Sequence, residues 1–193
     1  SWLRELIEAT DPERKAEAAL WTPLPGPQAD AYFGLADETY YGGSAGGGKT
    51  FLLLGLALTA HHSSIIFRRE YSQLQGAEGI IEQSRKLLQP TPARFNGQTM
   101  LWRNIPGNRM LEFGACQYER DVERYQGRAH DLKAFDELTH FTKFQYQYLS
   151  GWNRTTIPGQ RCRTVATGNP PMTPEGEWVI QRWRAWLDNQ HDN

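Results

Sequence analysis

Apolar and polar positions repeat along this chain with two different periods, and the switches between them mark out its elements. Residues 2–20 set Trp2, Leu3, Leu6, Ile7, Ala9, Ala16, Ala18, Ala19 and Leu20 among charges, which predicts one or two amphipathic helices broken near Thr10-Asp11-Pro12. The run Trp21-Thr22-Pro23-Leu24-Pro25-Gly26-Pro27 then forces an extended connection. Thr39-Tyr40-Tyr41, Ser64-Ile65-Ile66-Phe67, the run from Leu132 to Phe135 and the run from Cys162 to Thr167 read as strands. Helical patterns separate them: a long apolar stretch starting at Thr50, a stripe of Ile80, Ile81, Ser84, Leu87 and Leu88, and a segment with Phe141, Phe144, Tyr148 and Leu149. A last helix, from about Pro174 to Leu187, carries Val179, Trp183 and Trp186 with Trp178 beside them. These aromatic stripes read as core packing; an exposed tryptophan face would instead mark a missing partner surface.

Strands that alternate with helices predict an α/β fold with a mostly parallel central sheet and helices on both faces. One region departs from that alternation. Thr99-Met100-Leu101-Trp102 and the run from Arg109 to Phe113 flank Asn104-Ile105-Pro106-Gly107-Asn108, which predicts a small antiparallel hairpin insertion on a Pro-Gly turn. The charged stretch from Glu119 to Arg128 reads as surface.

The candidate chemistry lies between the first strand and the first long helix. Gly43-Ser44-Ala45-Gly46-Gly47-Gly48-Lys49-Thr50 fits the Walker A pattern of a phosphate-binding loop. Its glycines permit the turns that aim backbone N–H groups at a polyphosphate. Lys49 would meet the β- and γ-phosphates and Thr50 would hold Mg²⁺, with Phe51 opening the helix that follows.

Further along, Leu132-Lys133-Ala134-Phe135-Asp136-Glu137 is a β-prone run ending in two carboxylates. Alone, such a pair is as readily a solvated strand end. Downstream of a Walker A loop it suits Asp136 to bind Mg²⁺ through water and Glu137 to polarise the attacking water. The Gln28 amide could donate and accept at an adenine edge. Arg68-Arg69-Glu70 ends a strand near the phosphate side of such a sheet, or is a solvated edge. Arg124 and Arg128 could reach a neighbouring subunit's nucleotide, or simply face water. Thr167 and Asn169 could touch the γ-phosphate, or Gly168-Asn169-Pro170 is a plain turn.

Composition narrows the class without choosing the function. A chain of 193 residues suffices for one α/β domain, and a formal charge of −1 gives no global case for nucleic-acid binding. Arginine outnumbers lysine 16 to 5, which favours planar phosphate recognition. Cys116 and Cys162 show no metal-site spacing and suit a reducing compartment. No segment approaches the roughly 20 apolar residues that span a bilayer, so the sequence reads as soluble and intracellular.

These motifs resemble one family, the large terminase subunits of tailed bacteriophages. The likeness runs over nearly the whole chain and is most specific in Tyr40-Tyr41-Gly42 through Thr50, Phe67-Arg68-Arg69-Glu70-Tyr71 with Leu74, Tyr125-Gln126-Gly127-Arg128, Phe135-Asp136-Glu137-Leu138-Thr139-His140-Phe141 and Thr167-Gly168-Asn169-Pro170. It implies a P-loop NTPase of the additional-strand catalytic-glutamate class that hydrolyses ATP with Mg²⁺ and drives double-stranded DNA into a procapsid. It implies Gln28 as the adenine-side glutamine, Asp136 as the magnesium ligand, Glu137 as the catalytic glutamate and Thr167-Gly168-Asn169 as the motif coupling hydrolysis to motion. The family works as a ring of five subunits on the capsid portal, with the portal protein, the small terminase subunit and DNA as partners, in the cytoplasm of the infected host. Many relatives carry an arginine inside the Walker A loop and this chain does not, which makes Arg128 the first candidate for an arginine acting across subunits, with Arg124 and Arg69 behind it. Large terminases continue into a nuclease domain, so residues 1–193 read as an incomplete ATPase portion without nuclease activity. Three rivals stay open: another P-loop DNA motor, such as a helicase or repair ATPase; a nucleotide-binding interaction module with no turnover of its own; and a small-molecule kinase, which Asp136-Glu137 suits less well than water activation.

Overall fold

The computed structural model describes Glu17 and residues 19–43 and 46–184. Most of the helical pattern expected over residues 2–20, the loop residues Ser44 and Ala45, and Trp186 and Leu187 lie outside the described residues.

Seven strands form one sheet: β1 (Glu38–Gly42), β2 (Ser63–Arg68), β3 (Arg94–Asn96), β4 (Leu101–Ile105), β5 (Arg109–Ala115), β6 (Leu132–Phe135) and β7 (Arg163–Gly168). Their order across the sheet is β1-β7-β6-β2-β5-β4-β3. The first five in that order are mutually parallel, and β4 and β3 close the far edge antiparallel. The expected antiparallel hairpin is present as β4 and β5. Its second strand, β5, runs parallel to β2 and extends the main sheet, while β4 folds back upon it. The strand β3 is not evident from the sequence; it is short, and it is held by the cross-strand pair of Phe95 with Trp102.

Helices cover both faces, and strand alternation decides which residues meet which layer. On one face Leu132 and Ala134 of β6, Ile66 of β2 and Val165 of β7 pack against α2 (Lys49–Gly55, continued as a π-helix over Leu56–Ala60), α3 (Tyr71–Gln75) and α4 (Ile80–Leu88). The α2 leucines at 52, 53, 54, 56 and 58 are all fully buried, because the helix is enclosed from Leu52 onward, and each such burial is worth about 1.5–3 kcal/mol. On the other face Ile65, Phe67, Phe135 and Ala166 meet α5 (Lys143–Ser150), α6 (Glu177–Trp183) and the 3₁₀ turns over Glu119–Tyr125 and Leu138–His140.

Three local expectations change. Residues 27–33 form a helix, α1 (Pro27–Phe33), instead of continuing the extended connection, since a proline at a helix start gives up no hydrogen bond. The charged stretch after Tyr118 is only half a surface: its 3₁₀ turn sets Val122 and Tyr125 three residues apart and buries both. In α5 the buried positions are Gln145, Tyr146 and Leu149, the two apolar ones joined by Phe141, while Phe144 is exposed beside Tyr148. Of the tryptophan stripe, Trp183 stacks on Tyr40 and the Trp178 indole donates to the Phe141 carbonyl at 2.9 Å, so these two pack inward. Among the described residues, no helix is long and apolar enough to cross a membrane.

Candidate nucleotide site

The parallel strands bring their carboxyl ends to one rim, and the next residue of each decides what that rim presents. One step past the Phe67–Phe135–Ala166 register lie Arg68, Asp136 and Thr167. By alternation these three turn toward the face that carries α2, whose first residues are Lys49 and Thr50. The strand order places β7 between β1, which feeds the loop, and β6, which delivers the carboxylates, so one extra strand separates the two motifs.

Between β1 and α2 the chain passes through glycines with positive φ: 149° at Gly43, 85° at Gly46 and 67° at Gly48. Gly48 is doubly required, because a Cβ there would lie 2.5 Å from Gln28 Nε2. Gln28 is buried; its Nε2 donates to the Gly48 carbonyl at 3.0 Å, and its Oε1 accepts from the Leu24 N–H at 2.6 Å. The amide expected at an adenine edge thus pins the loop to α1. Gly46 and Gly47 are exposed, and Phe51 is 43% exposed just past the loop.

Lys49 lies folded into the loop, donating to the Gly43 carbonyl at 3.0 Å and to Asn169 Oδ1 at 3.0 Å. Asn169 also donates from Nδ2 to Glu137 Oε2 at 3.4 Å, so one amide spans the loop lysine and the glutamate. Glu137 is half-buried and holds a left-handed backbone (φ 58°, ψ 56°), a conformation that strains a residue with a side chain and recurs at functional sites. Its carboxylate, after burial itself, helps push the Tyr40 phenol up to about 12, and Tyr40 Oη donates to the Asn169 carbonyl at 3.4 Å.

Asp136 is fully buried. Its Oδ1 accepts from Thr167 Oγ1 at 2.9 Å, and its Oδ2 from Thr50 Oγ1 at 3.0 Å and from Arg68 at 2.9 Å (Nε) and 2.6 Å (Nη2). Thr167, expected to touch a phosphate, therefore supports Asp136 from below. Arg68 is not singled out by the sequence, although strand parity points to it: in β2 the side chain of Arg68 follows Ile66 to the α2 face, while Arg69 turns away.

Arg69 donates to Gln145 of α5, on the opposite face. Arg124 pairs with Asp121 at 3.3 Å and is 71% exposed. Arg128 pairs with Glu112 and lies over the Tyr125 ring, 49% exposed, at a groove of about 580 Å³ that Arg120 and Arg124 also line. The partners of these three arginines thus lie away from the loop of their own chain, and Arg124 and Arg128 face outward. Behind Arg128 runs a buried polar chain. Lys133 Nζ donates to the Arg128 carbonyl at 3.1 Å and to His130 Nδ1 at 3.0 Å, and His130 Nε2 meets Glu112 Oε2 at 3.1 Å. Burial brings the Lys133 ammonium down to about 8 and lowers His130 as well.

The fit for a metal follows from the donor set. Among the described residues no three His, Cys, Asp or Glu side chains gather into a cage. The Thr50 hydroxyl and Asp136 carboxylate instead offer two hard oxygens 3.0 Å apart at a phosphate loop, which suits an Mg²⁺ that draws its other ligands from phosphate and water.

Residues 40–192 match the family described as terminase large subunit, T4likevirus-type, N-terminal. The chain belongs to this family of large terminase subunits. No curated protein sequence matches it. Among solved structures the chain is similar to the large terminase of bacteriophage HK97, with a TM-score of 0.60 and 13% identity over 86% of this chain and 37% of that one. It is also similar to the large terminase of a thermophilic bacteriophage, with a TM-score of 0.59 and 12% identity over 90% of this chain and 42% of that one. A further structure of that thermophilic phage's terminase, in complex with ADP, has a TM-score of 0.50 and 13% identity over 82% of this chain and 38% of that one. These likenesses show the shared P-loop NTPase fold with its mostly parallel sheet. The matched terminase portion spans 37% to 42% of the length of these structures.

Proposed function

We propose that this terminase portion binds ATP with Mg²⁺ and hydrolyses it, as the energy-converting part of a motor that moves double-stranded viral DNA into a procapsid. The observation that carries the reading is the Asn169 amide, which ties Lys49 of the loop to Glu137 and so sets a cation for phosphate and a base for water at one mouth. The ADP found with the thermophilic phage's terminase supports nucleotide as the ligand.

The roles follow from charge and position. Gly43, Ser44, Ala45, Gly46, Gly47 and Gly48 wrap the phosphates with backbone N–H groups, and Lys49 leaves the Gly43 carbonyl for the β- and γ-phosphate oxygens. Thr50 and Asp136 would hold Mg²⁺, which supplies positive charge against the charge that develops on the phosphates. Glu137 orients a water in line with the γ-phosphorus and takes its proton. Asn169, bonded to both Lys49 and Glu137, registers whether the terminal phosphate is present. Thr167 keeps the Asp136 carboxylate turned toward Thr50.

The outward Arg128 is our first candidate for the arginine that completes a neighbour's site, ahead of Arg124 and Arg69. On the family resemblance, the proposal extends to a complete motor of five copies in a ring on the portal, with the portal protein, the small terminase subunit and DNA as partners, in the cytoplasm of the infected bacterium. Calorimetric titration of the chain with Mg·ATP tests the nucleotide reading: saturable binding that Lys49→Ala removes is expected, and equal heats from both proteins would overturn it.

A further inference from the structure

Arg68 stands where the proposed metal chemistry leaves no room for it. Both of its donating nitrogens reach one atom, Asp136 Oδ2, at 2.9 and 2.6 Å, and that same oxygen accepts from Thr50 Oγ1. A divalent ion held by Thr50 and Asp136, directly or through a bound water, would compete with Arg68 for this carboxylate. Asp136 has no exposed surface and Arg68 is about one-fifth exposed, so water does little to screen a guanidinium from an ion at the same carboxylate. Arginine cannot relieve the conflict by giving up its proton. One cation must leave, and a guanidinium taken from a buried carboxylate needs another anion to replace it. The phosphates that arrive with the ion are such an anion, and the guanidinium fork matches phosphate oxygens. The loop from Gly43 to Thr50 contains no arginine to take that part.

We propose that Arg68 is a placeholder cation: it holds Asp136 while the site is empty, gives up the carboxylate when the divalent ion enters, and turns onto the terminal phosphate of its own chain's nucleotide. The inference rests on the Mg·ATP reading above. It adds a phosphate contact within the subunit, distinct from the arginine offered to a neighbour, and it makes ion and nucleotide enter together, because without phosphates Arg68 excludes the ion.

The test counts bound Mn²⁺, a paramagnetic stand-in for Mg²⁺, by electron paramagnetic resonance, alone and with the non-hydrolysable β,γ-imido analogue of ATP. Without nucleotide, the parent chain and Arg68→Lys should bind Mn²⁺ weakly and Arg68→Gln about tenfold more tightly, since only glutamine removes the competing charge. With the analogue the order should invert, Arg68→Gln holding the Mn²⁺ complex about tenfold less tightly than the parent. Arg68→Lys keeps a charge on buried Asp136, so it serves if the glutamine variant does not fold. It should match the parent for Mn²⁺ alone and fall below it for the complex, for want of the planar fork. An Arg68→Gln protein equal to the parent in both conditions, or weaker in both, would overturn the proposal, as would an Arg68→Lys protein that holds the complex as tightly as the parent. A parent chain that binds no analogue at all would fail at an earlier point, overturning the nucleotide reading and this inference with it.

Discussion

Lys49 Nζ donates to Asn169 Oδ1 at 3.0 Å, joining the phosphate loop to the end of a strand 120 positions away in sequence. The other end of that amide meets Glu137 at 3.4 Å. β7, which leads into Asn169, lies between the loop strand and the carboxylate strand, so under the proposed function a change at the γ-phosphate that moves Lys49 would be passed through Asn169 to Glu137.

Removing the amide should separate binding from turnover. Asn169→Ala leaves Lys49 its loop and phosphate partners, so affinity for Mg·ATP should stay within a few-fold, while single-turnover hydrolysis falls by roughly 10²-fold as Glu137 loses its orientation. A variant that hydrolyses at the parent rate would show that the bridge plays no part in the chemistry.

Gln28 makes a sharper prediction than its expected adenine contact does. Because its amide holds the Gly48 carbonyl and the Leu24 N–H, Gln28→Ala should destabilise the fold by about 1–3 kcal/mol. It should also weaken ATP and GTP by the same factor. Competition binding with both nucleotides decides: a loss confined to ATP would return the side chain to the base.

The Lys133 ammonium should give stability an alkaline signature. Its proton leaves near pH 8 in the folded chain and near the ordinary lysine value of about 10.5 in the unfolded one. Between those values the unfolded chain binds more protons, so stability rises with pH. Relative to Lys133→Met, the parent chain should gain on the order of 3 kcal/mol from pH 8 to pH 10.5, at about 1.4 kcal/mol per pH unit. Chemical denaturation of both proteins across that range measures it, and parallel curves would show that burial leaves the ammonium at its ordinary value.

What the sequence makes legible is whatever local pattern alone determines. The glycine run with Lys49 and Thr50, the strands at Tyr40, Ile66 and Val165, and the helix at Ile80 all follow from spacing and apolar period. What it hides depends on partners distant in the chain. α1 is hidden because Pro25-Gly26-Pro27 reads as a breaker until the contact of Gln28 with Gly48 shows what the turn is for. The resemblance offers Arg69 as a candidate and leaves Arg68 unremarked, because two adjacent arginines read alike in sequence, whereas strand alternation sends them to opposite faces. Thr167 reads as a phosphate contact because its place beneath Asp136 is set by the register of β7 against β6, which no local pattern encodes.

Steady-state phosphate release from Mg·ATP, followed as the protein concentration rises, tests the central claim most directly. Glu137→Gln and Arg128→Ala would be run beside the parent chain. The account predicts a parent rate that climbs faster than linearly as copies meet, a Glu137→Gln protein that binds ATP without releasing phosphate, and an Arg128→Ala protein that loses the concentration-dependent rise. Phosphate release by Glu137→Gln at the parent rate would contradict the account.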